Sequence, residues 1–163
     1  ANYYEIIYQK TAVLFRSCAE VAAITMEATS EALEQAIQIG TALGMAFQIR
    51  DDIFDYYRSD VGKPTGNDIR EGKITLPLLH VLTELQKEDK ATPYLVLLAE
   101  KPINPSSIEQ LTALAHEAGG MDYAWKRLYH YIDEAKTLLG SFPESEYRRS
   151  LLALADYIAE RTV

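Results

Sequence analysis

The chain is poor in the residues that build cross-linked or irregular folds. A single cysteine in 163 residues excludes an internal disulfide and fits a reducing cytosol. That residue, in Phe15-Arg16-Ser17-Cys18-Ala19-Glu20, has no histidine beside it and is expected to be a packed core thiol rather than a nucleophile. His80, His116 and His130 lie too far apart to match a metal-ligand spacing, so each is expected on the surface or as a satisfied helix side chain. Only 8 Gly and 6 Pro interrupt long periodic apolar runs, which argues for an all-helical chain. Basic charge is in deficit, 16 Lys and Arg against 24 Asp and Glu, and the net −8 disfavours nucleic acid as a partner. No apolar run approaches the ~18 residues of a membrane span. No signal peptide, repeat, low-complexity segment or internal domain boundary is visible. The length suits one domain with a real core.

What the chain does have is concentrated in Phe47-Gln48-Ile49-Arg50-Asp51-Asp52-Ile53-Phe54-Asp55, then Gly62-Lys63-Pro64-Thr65-Gly66-Asn67-Asp68, then Glu71-Gly72-Lys73-Ile74-Thr75-Leu76-Pro77. Three carboxylates fall within about one helical turn. They do nothing for the helix itself: aspartate is a mediocre helix former, and like charges at i,i+3 and i,i+4 repel. They make sense if a hard cation neutralises them and the following lysines take up an anion that binds the same cation; magnesium with diphosphate is such a pair. Thr41, Gly44, Gln48, Asp51 and Asp55 recur at three- and four-residue steps and form one stripe. Large apolar residues flank it, as on a buried helix with one side facing a wet cavity. The Phe and Ile flanks argue against a merely exposed acidic helix end. Gly40 and Gly44 each cost about 1 kcal/mol of helix stability relative to Ala, and make room for a ligand or a close neighbour.

Pattern and punctuation predict an antiparallel helical array. A first helix spans about 3–28, with a kink near Gln9-Lys10-Thr11. Thr29-Ser30 with Glu31 and Glu34 opens a second over about 31–57. Residues 58–72 form a polar loop. Thr75-Leu76-Pro77 starts the next helix, with Pro in its first turn. Further helices are expected near 92–99, 106–117, 121–140 and 144–161, broken at Gly119-Gly120 and Phe142-Pro143. Tyr123, Trp125, Tyr129, Tyr131, Tyr147 and Tyr157 recur at helical steps and are expected to pack in the core with their polar ends at its periphery. Arg148-Arg149 is expected on a solvated face.

These residues carry a resemblance. The order F-Q-x-x-D-D-x-x-D, G-K-x-x-G-x-D and G-K-x-T-L-P, preceded by the pair Lys10-Thr11, is similar to the second aspartate-rich region of trans-isoprenyl (polyprenyl) diphosphate synthases. The resemblance implies the all-α antiparallel helical bundle of the isoprenoid synthases, and it covers the C-terminal half of that fold. It implies Mg²⁺ at Asp51, Asp52 and Asp55, and allylic diphosphate at Lys10, Thr11, Gln48, Lys63 and Lys73. It further implies a cytoplasmic homodimer that condenses isopentenyl diphosphate with an allylic diphosphate. The family's first aspartate-rich motif has no counterpart in residues 1–50. The chain is therefore expected to be the C-terminal part of a longer synthase domain, inactive alone, with Ile6, Ile7, Leu14 and Leu33 left uncovered.

Three function classes follow. The first is an enzyme of this kind. The second is a non-catalytic prenyltransferase-like subunit that pairs with an active partner, which gains from the missing motif but has no need of intact Asp51, Asp52, Asp55, Lys63 and Lys73. The third is a metal-dependent phosphate-anhydride hydrolase, which does not account for the glycine-rich loop and Lys10-Thr11 together.

Overall fold

In the computed structural model, residues 2–57 and 66–161 are described, and every regular element among them is helical. Helix α1 (Tyr3–Ile7) runs through a π-helical segment (Tyr8–Ala12) into α2 (Val13–Thr25). Helix α3 covers Ser30–Phe54, and a short α4 covers Asn67–Arg70. Helices α5 (Leu76–Lys87), α6 (Thr92–Ala99), α7 (Pro105–Glu117), α8 (Gly120–Gly140) and α9 (Glu146–Glu160) follow. The starts are set by identifiable caps. Thr29 Oγ1 accepts from the Ala32 N–H at 3.3 Å, Asn104 from Ser107 at 2.9 Å and Ser145 from Arg148 at 3.1 Å. Pro77, Pro93 and Pro105 sit in first turns, where no N–H is missed.

The chain divides into two compact units, residues 1–50 with 126–162, and residues 51–125. No linker marks the divisions, because both fall inside continuous helices, α3 and α8. This is why the sequence shows no boundary there.

In the first unit, α3 lies against the π-helical segment and α2 at its glycines. A Cβ on Gly44 would stand 2.6 Å from Ala12 Cα, and one on Gly40 would stand 2.7 Å from the Phe15 carbonyl oxygen. The close neighbour, not a ligand, is what these glycines admit. Ile7, Ala12, Leu43, Ala46, Ile49, Leu128, Ile132, Leu139 and Ile158 form the core. Ion pairing joins Lys136 of α8 to Asp156 of α9.

Helix α2 buries none of its residues. Its exposed positions Leu14, Ser17, Cys18, Val21, Ala22, Ile24 and Thr25 include no charge. An apolar groove of about 690 Å³ is lined by Leu14 of α2, Met26 just beyond it, Ala32 and Ala36 of α3, and Leu151 and Leu154 of α9. Cys18 lines this groove and is exposed, not packed, because no other segment among the described residues of the unit covers that face of α2. Ile6 and Leu14 are uncovered as expected, whereas Ile7 points inward and is 3% exposed.

Several aromatic positions also differ from expectation. Tyr147 and Tyr157 on α9 and Tyr129 on α8 are exposed, since the buried stripe of α9 is made of Ala155, Ile158 and Ala159. Arg149 is exposed as expected, whereas Arg148 is half-buried: its guanidinium donates to the Phe142 carbonyl at 3.1 Å and pairs with Glu144 at 2.9 Å, closing the connection between α8 and α9.

In the second unit, α5, α6 and α4 contact α7 around Ile69, Leu78, Val81, Ile108 and Leu111. His116 is hydrogen-bonded to the Tyr56 carbonyl at 2.9 Å, and His80 stacks on Tyr123 at 3.9 Å. His116 is thus a satisfied helix histidine, as expected, and His80 packs against an aromatic ring. Trp125 donates its indole N–H to the Tyr57 hydroxyl at 3.2 Å. No helix is long and apolar enough to cross a membrane among the described residues.

Candidate active site

Each unit carries its own share of the motif residues. In the first, Lys10 and Thr11 lie in the π-helical segment, where the Val13 N–H reaches back to the Tyr8 carbonyl. The kink expected at Gln9-Lys10-Thr11 is this widened turn. Thr11 Oγ1 donates to Gln48 Oε1 at 2.6 Å, joining two motif elements 37 positions apart. Gln48 is buried, and Lys10 is exposed. Nearby, Arg50 is also buried, and its Nη2 donates to the Arg161 carbonyl at 2.6 Å. The Arg161 guanidinium in turn lies 4.2 Å from the centre of the Phe47 ring.

In the second unit, the three carboxylates have separate environments. Asp51 is exposed at the helix surface, and Asp52 is buried, as their offset of about 100° around the helix requires. Asp55 is half-buried and does a structural job that the sequence does not announce. Its Oδ1 accepts from the Asn67 N–H at 3.0 Å and its Oδ2 from the Asp68 N–H at 2.9 Å. Its backbone carbonyl also accepts from the Gly66 N–H at 2.9 Å. Burial pushes the Asp55 carboxyl above the ordinary carboxylate range, against the opposing pull of the Asp68 and Asn67 N–H groups.

The motif glycines have backbone reasons. Gly66 precedes α4 at φ 73°, and a Cβ there would also stand 2.5 Å from Ile108 Cγ2. Gly72 follows α4 at φ 76°. Its N–H donates to the Ile69 carbonyl at 2.9 Å, and that of Lys73 to the Asp68 carbonyl at 2.7 Å, the paired bonds that close a helix on a left-handed glycine. Gly66 to Lys73 is therefore one capped turn held by Asp55, and its spacing fixes where Lys73 emerges. The Lys73 ammonium is exposed, bonded to Glu71 at 2.5 Å and 3.7 Å from Asp68. Its pKa is raised, chiefly by the Glu71 bond. Behind the turn, Tyr56 is buried with its hydroxyl 3.1 Å from Thr75 Oγ1, and burial raises its pKa. Lys63 lies outside the described residues.

Among the described residues, no three His, Cys, Asp or Glu side chains converge into a closed metal cage. The acidic groups still fit magnesium by their chemistry. They are all oxygen donors, and Mg²⁺ commonly takes only one or two carboxylates, completing its shell with water and substrate phosphate.

Residues 1–115 match the polyprenyl synthetase family. The octaprenyl diphosphate synthase of Haemophilus influenzae is 37% identical over 99% of this chain and 49% of its own length. The crystal structure of geranylgeranyl pyrophosphate synthase from Bacteroides thetaiotaomicron superposes with a TM-score of 0.86 at 36% identity, covering 98% of this chain and 52% of that one. That of polyprenyl synthase from Caulobacter crescentus, complexed with calcium and isoprenyl diphosphate, gives 0.81 at 31% identity, covering 98% and 49%. The chain spans about half the length of the curated relatives it matches. On the strength of that match, carried by a chain whose motifs and helices agree with it, the protein belongs to the polyprenyl synthetase family.

Proposed function

We propose that this protein is a trans-prenyltransferase of isoprenoid biosynthesis, condensing isopentenyl diphosphate with an allylic diphosphate in a magnesium-dependent reaction that releases diphosphate. The family match over residues 1–115 is the observation that carries it. The resemblance assigns the motifs to the C-terminal half of such a synthase, which works as a cytoplasmic homodimer. The uncharged, exposed face of α2 supports association. A non-catalytic subunit is disfavoured, because the acidic and basic motif residues are all retained.

Asp51, Asp52 and Asp55 hold the cation, Asp51 foremost because it is the exposed carboxylate. When bound, the cation supplies positive charge against the diphosphate oxygens. Lys10, Lys63 and Lys73 add point charges around the same leaving group, and Thr11 with Gln48 orients it. Lys73 can be recruited at little cost, since its contacts with Glu71 and Asp68 are exposed pairs of small net value. The carbon–oxygen bond of the allylic diphosphate breaks because its growing negative charge is neutralised in place. Apolar helix walls keep water from the allylic cation. The double bond of isopentenyl diphosphate attacks that cation, and the proton released goes, by resemblance to the family, to the departing diphosphate.

The test is calorimetric titration of residues 1–163 with inorganic diphosphate. Binding that requires Mg²⁺ and disappears in Asp51→Ala is expected. Absence of any Mg²⁺-dependent binding to the folded wild-type chain refutes the assignment.

A further inference from the structure

Two arginines that no motif element claims meet across 111 sequence positions. Arg50 is a charged side chain with only 6% of its surface exposed. A buried guanidinium needs strong acceptors, and this one finds the main-chain carbonyl of Arg161 at 2.6 Å. Arg161 is the C-cap of α9, so Arg50 also stands at the negative end of that helix dipole. The contact is returned. The Arg161 guanidinium lies over the Phe47 ring at 4.2 Å and donates to the Phe47 carbonyl at 3.5 Å. Phe47 meets Phe15 of α2 at 5.3 Å between ring centres. Between Phe47 and Arg50 sits Gln48, bonded to Thr11 at 2.6 Å.

We propose that Arg50 and Arg161 form a reciprocal latch by which the end of α9 positions Gln48 and the Thr11–Gln48 bond for diphosphate binding. The latch rests on the role given to Gln48 above. Neither arginine touches the ligand; both act through the turn of α3 that carries Gln48. Each arginine grips the other's backbone neighbourhood, so losing either one frees the same turn. Losing both frees it no further.

A double-mutant cycle on the full chain tests this, using Arg50→Lys, which keeps the charge but loses the planar fork, and Arg161→Ala, which removes the guanidinium from Phe47 and leaves the main-chain carbonyl that Arg50 grips. Hydrogen exchange of the amides of residues 47–51 is read against those of α7, and Mg²⁺–diphosphate affinity is measured in parallel. Each change is expected to speed exchange at 47–51 by about tenfold, the scale of one charged hydrogen bond, and the double change to go no further than the stronger single one. The exchange of α7 stays at the wild-type rate, and diphosphate affinity falls in step with exchange at 47–51. Independent, multiplying effects of the two changes overturn the latch, as does uniform acceleration throughout the chain. So does unaltered diphosphate affinity when the turn has been freed. If the wild-type chain binds no diphosphate, the assignment of the site fails and the positioning role with it, while the exchange cycle still decides whether the two arginines are coupled.

Discussion

Gly44→Ala sets two effects of known size against each other. In an unobstructed helix interior the change gains about 1 kcal/mol, because alanine loses less backbone entropy than glycine. Here the new methyl would lie 2.6 Å from Ala12 Cα and 3.0 Å from both Ala12 Cβ and Phe15 Cβ. The nearest atom belongs to a backbone, so no side-chain rotation relieves it, and α3 must move away from the π-helical segment. Overpacking of this kind costs about 1–3 kcal/mol, and a backbone collision belongs at or beyond the upper end. The net expectation is a loss of about 2 kcal/mol or more, or a fall in melting temperature of at least about 4–8 °C for a chain of this length. Gly140→Ala provides the control, since nothing lies within 4 Å of a Cβ there. Thermal unfolding followed by circular dichroism should show Gly44→Ala below wild type and Gly140→Ala at or slightly above it. The displacement should also lengthen the Thr11–Gln48 bond and weaken diphosphate binding. If Gly44→Ala melts at or above the wild-type temperature, the tight contact between α3 and Ala12 is wrong.

Asp55→Ala removes both acceptors that hold the start of α4, and should cost about 2 kcal/mol while speeding amide exchange at residues 67–70; unchanged exchange there would contradict the capping role. Asp51→Ala should leave the unfolding free energy within about 0.5 kcal/mol of wild type, as an exposed site does, while abolishing Mg²⁺-dependent diphosphate binding. Residues 1–163 should give no product in an isopentenyl-transfer assay with Mg²⁺ and a short allylic diphosphate, because preorganised charge on one side of a leaving group supplies only part of the stabilisation; robust turnover would show the chain to be self-sufficient. Val21→Lys on the uncharged face of α2 should shift the purified chain toward smaller species in sedimentation velocity, and an unchanged profile would remove that face from any association.

Most of the helices were legible because their ends carry local chemistry. Thr29 caps where the sequence predicts a start, and Pro77 opens its helix for reasons written in its ring, whereas the caps at Asn104 and Ser145 are seen only in the structure. The disturbance at Lys10-Thr11 was visible too, but not its form, which involves Ala12 fitting against Gly44 from another helix. Periodicity reports which residues are apolar, not whether anything covers them, and Cys18, Tyr147 and Tyr157 were misplaced for that reason. The acidic and basic motif residues could be picked out by type alone. That Asp55 spends both oxygens on the Asn67 and Asp68 amides could not, because the bond spans a loop whose path is set in three dimensions. Arg50 and Arg161 lie beyond any local signal.

The widened turn at Tyr8–Ala12 has a consequence for how this segment can change over evolutionary time. A π turn holds one more residue than the α turn it replaces, so it acts as an insertion that the helix has absorbed without breaking. Deleting a single residue there would let α1 and α2 join as one regular α-helix and improve the local hydrogen bonding. It would also turn everything before the deletion by about 100° against everything after it. Tyr3 and Ile7, now buried, would swing out of the core that Ala12 shares, and Lys10-Thr11 would lose their present bearing on α3. Single-residue gaps should therefore be far rarer across this stretch than at the surface connections, because the extra residue sets the phase between two halves of one helix.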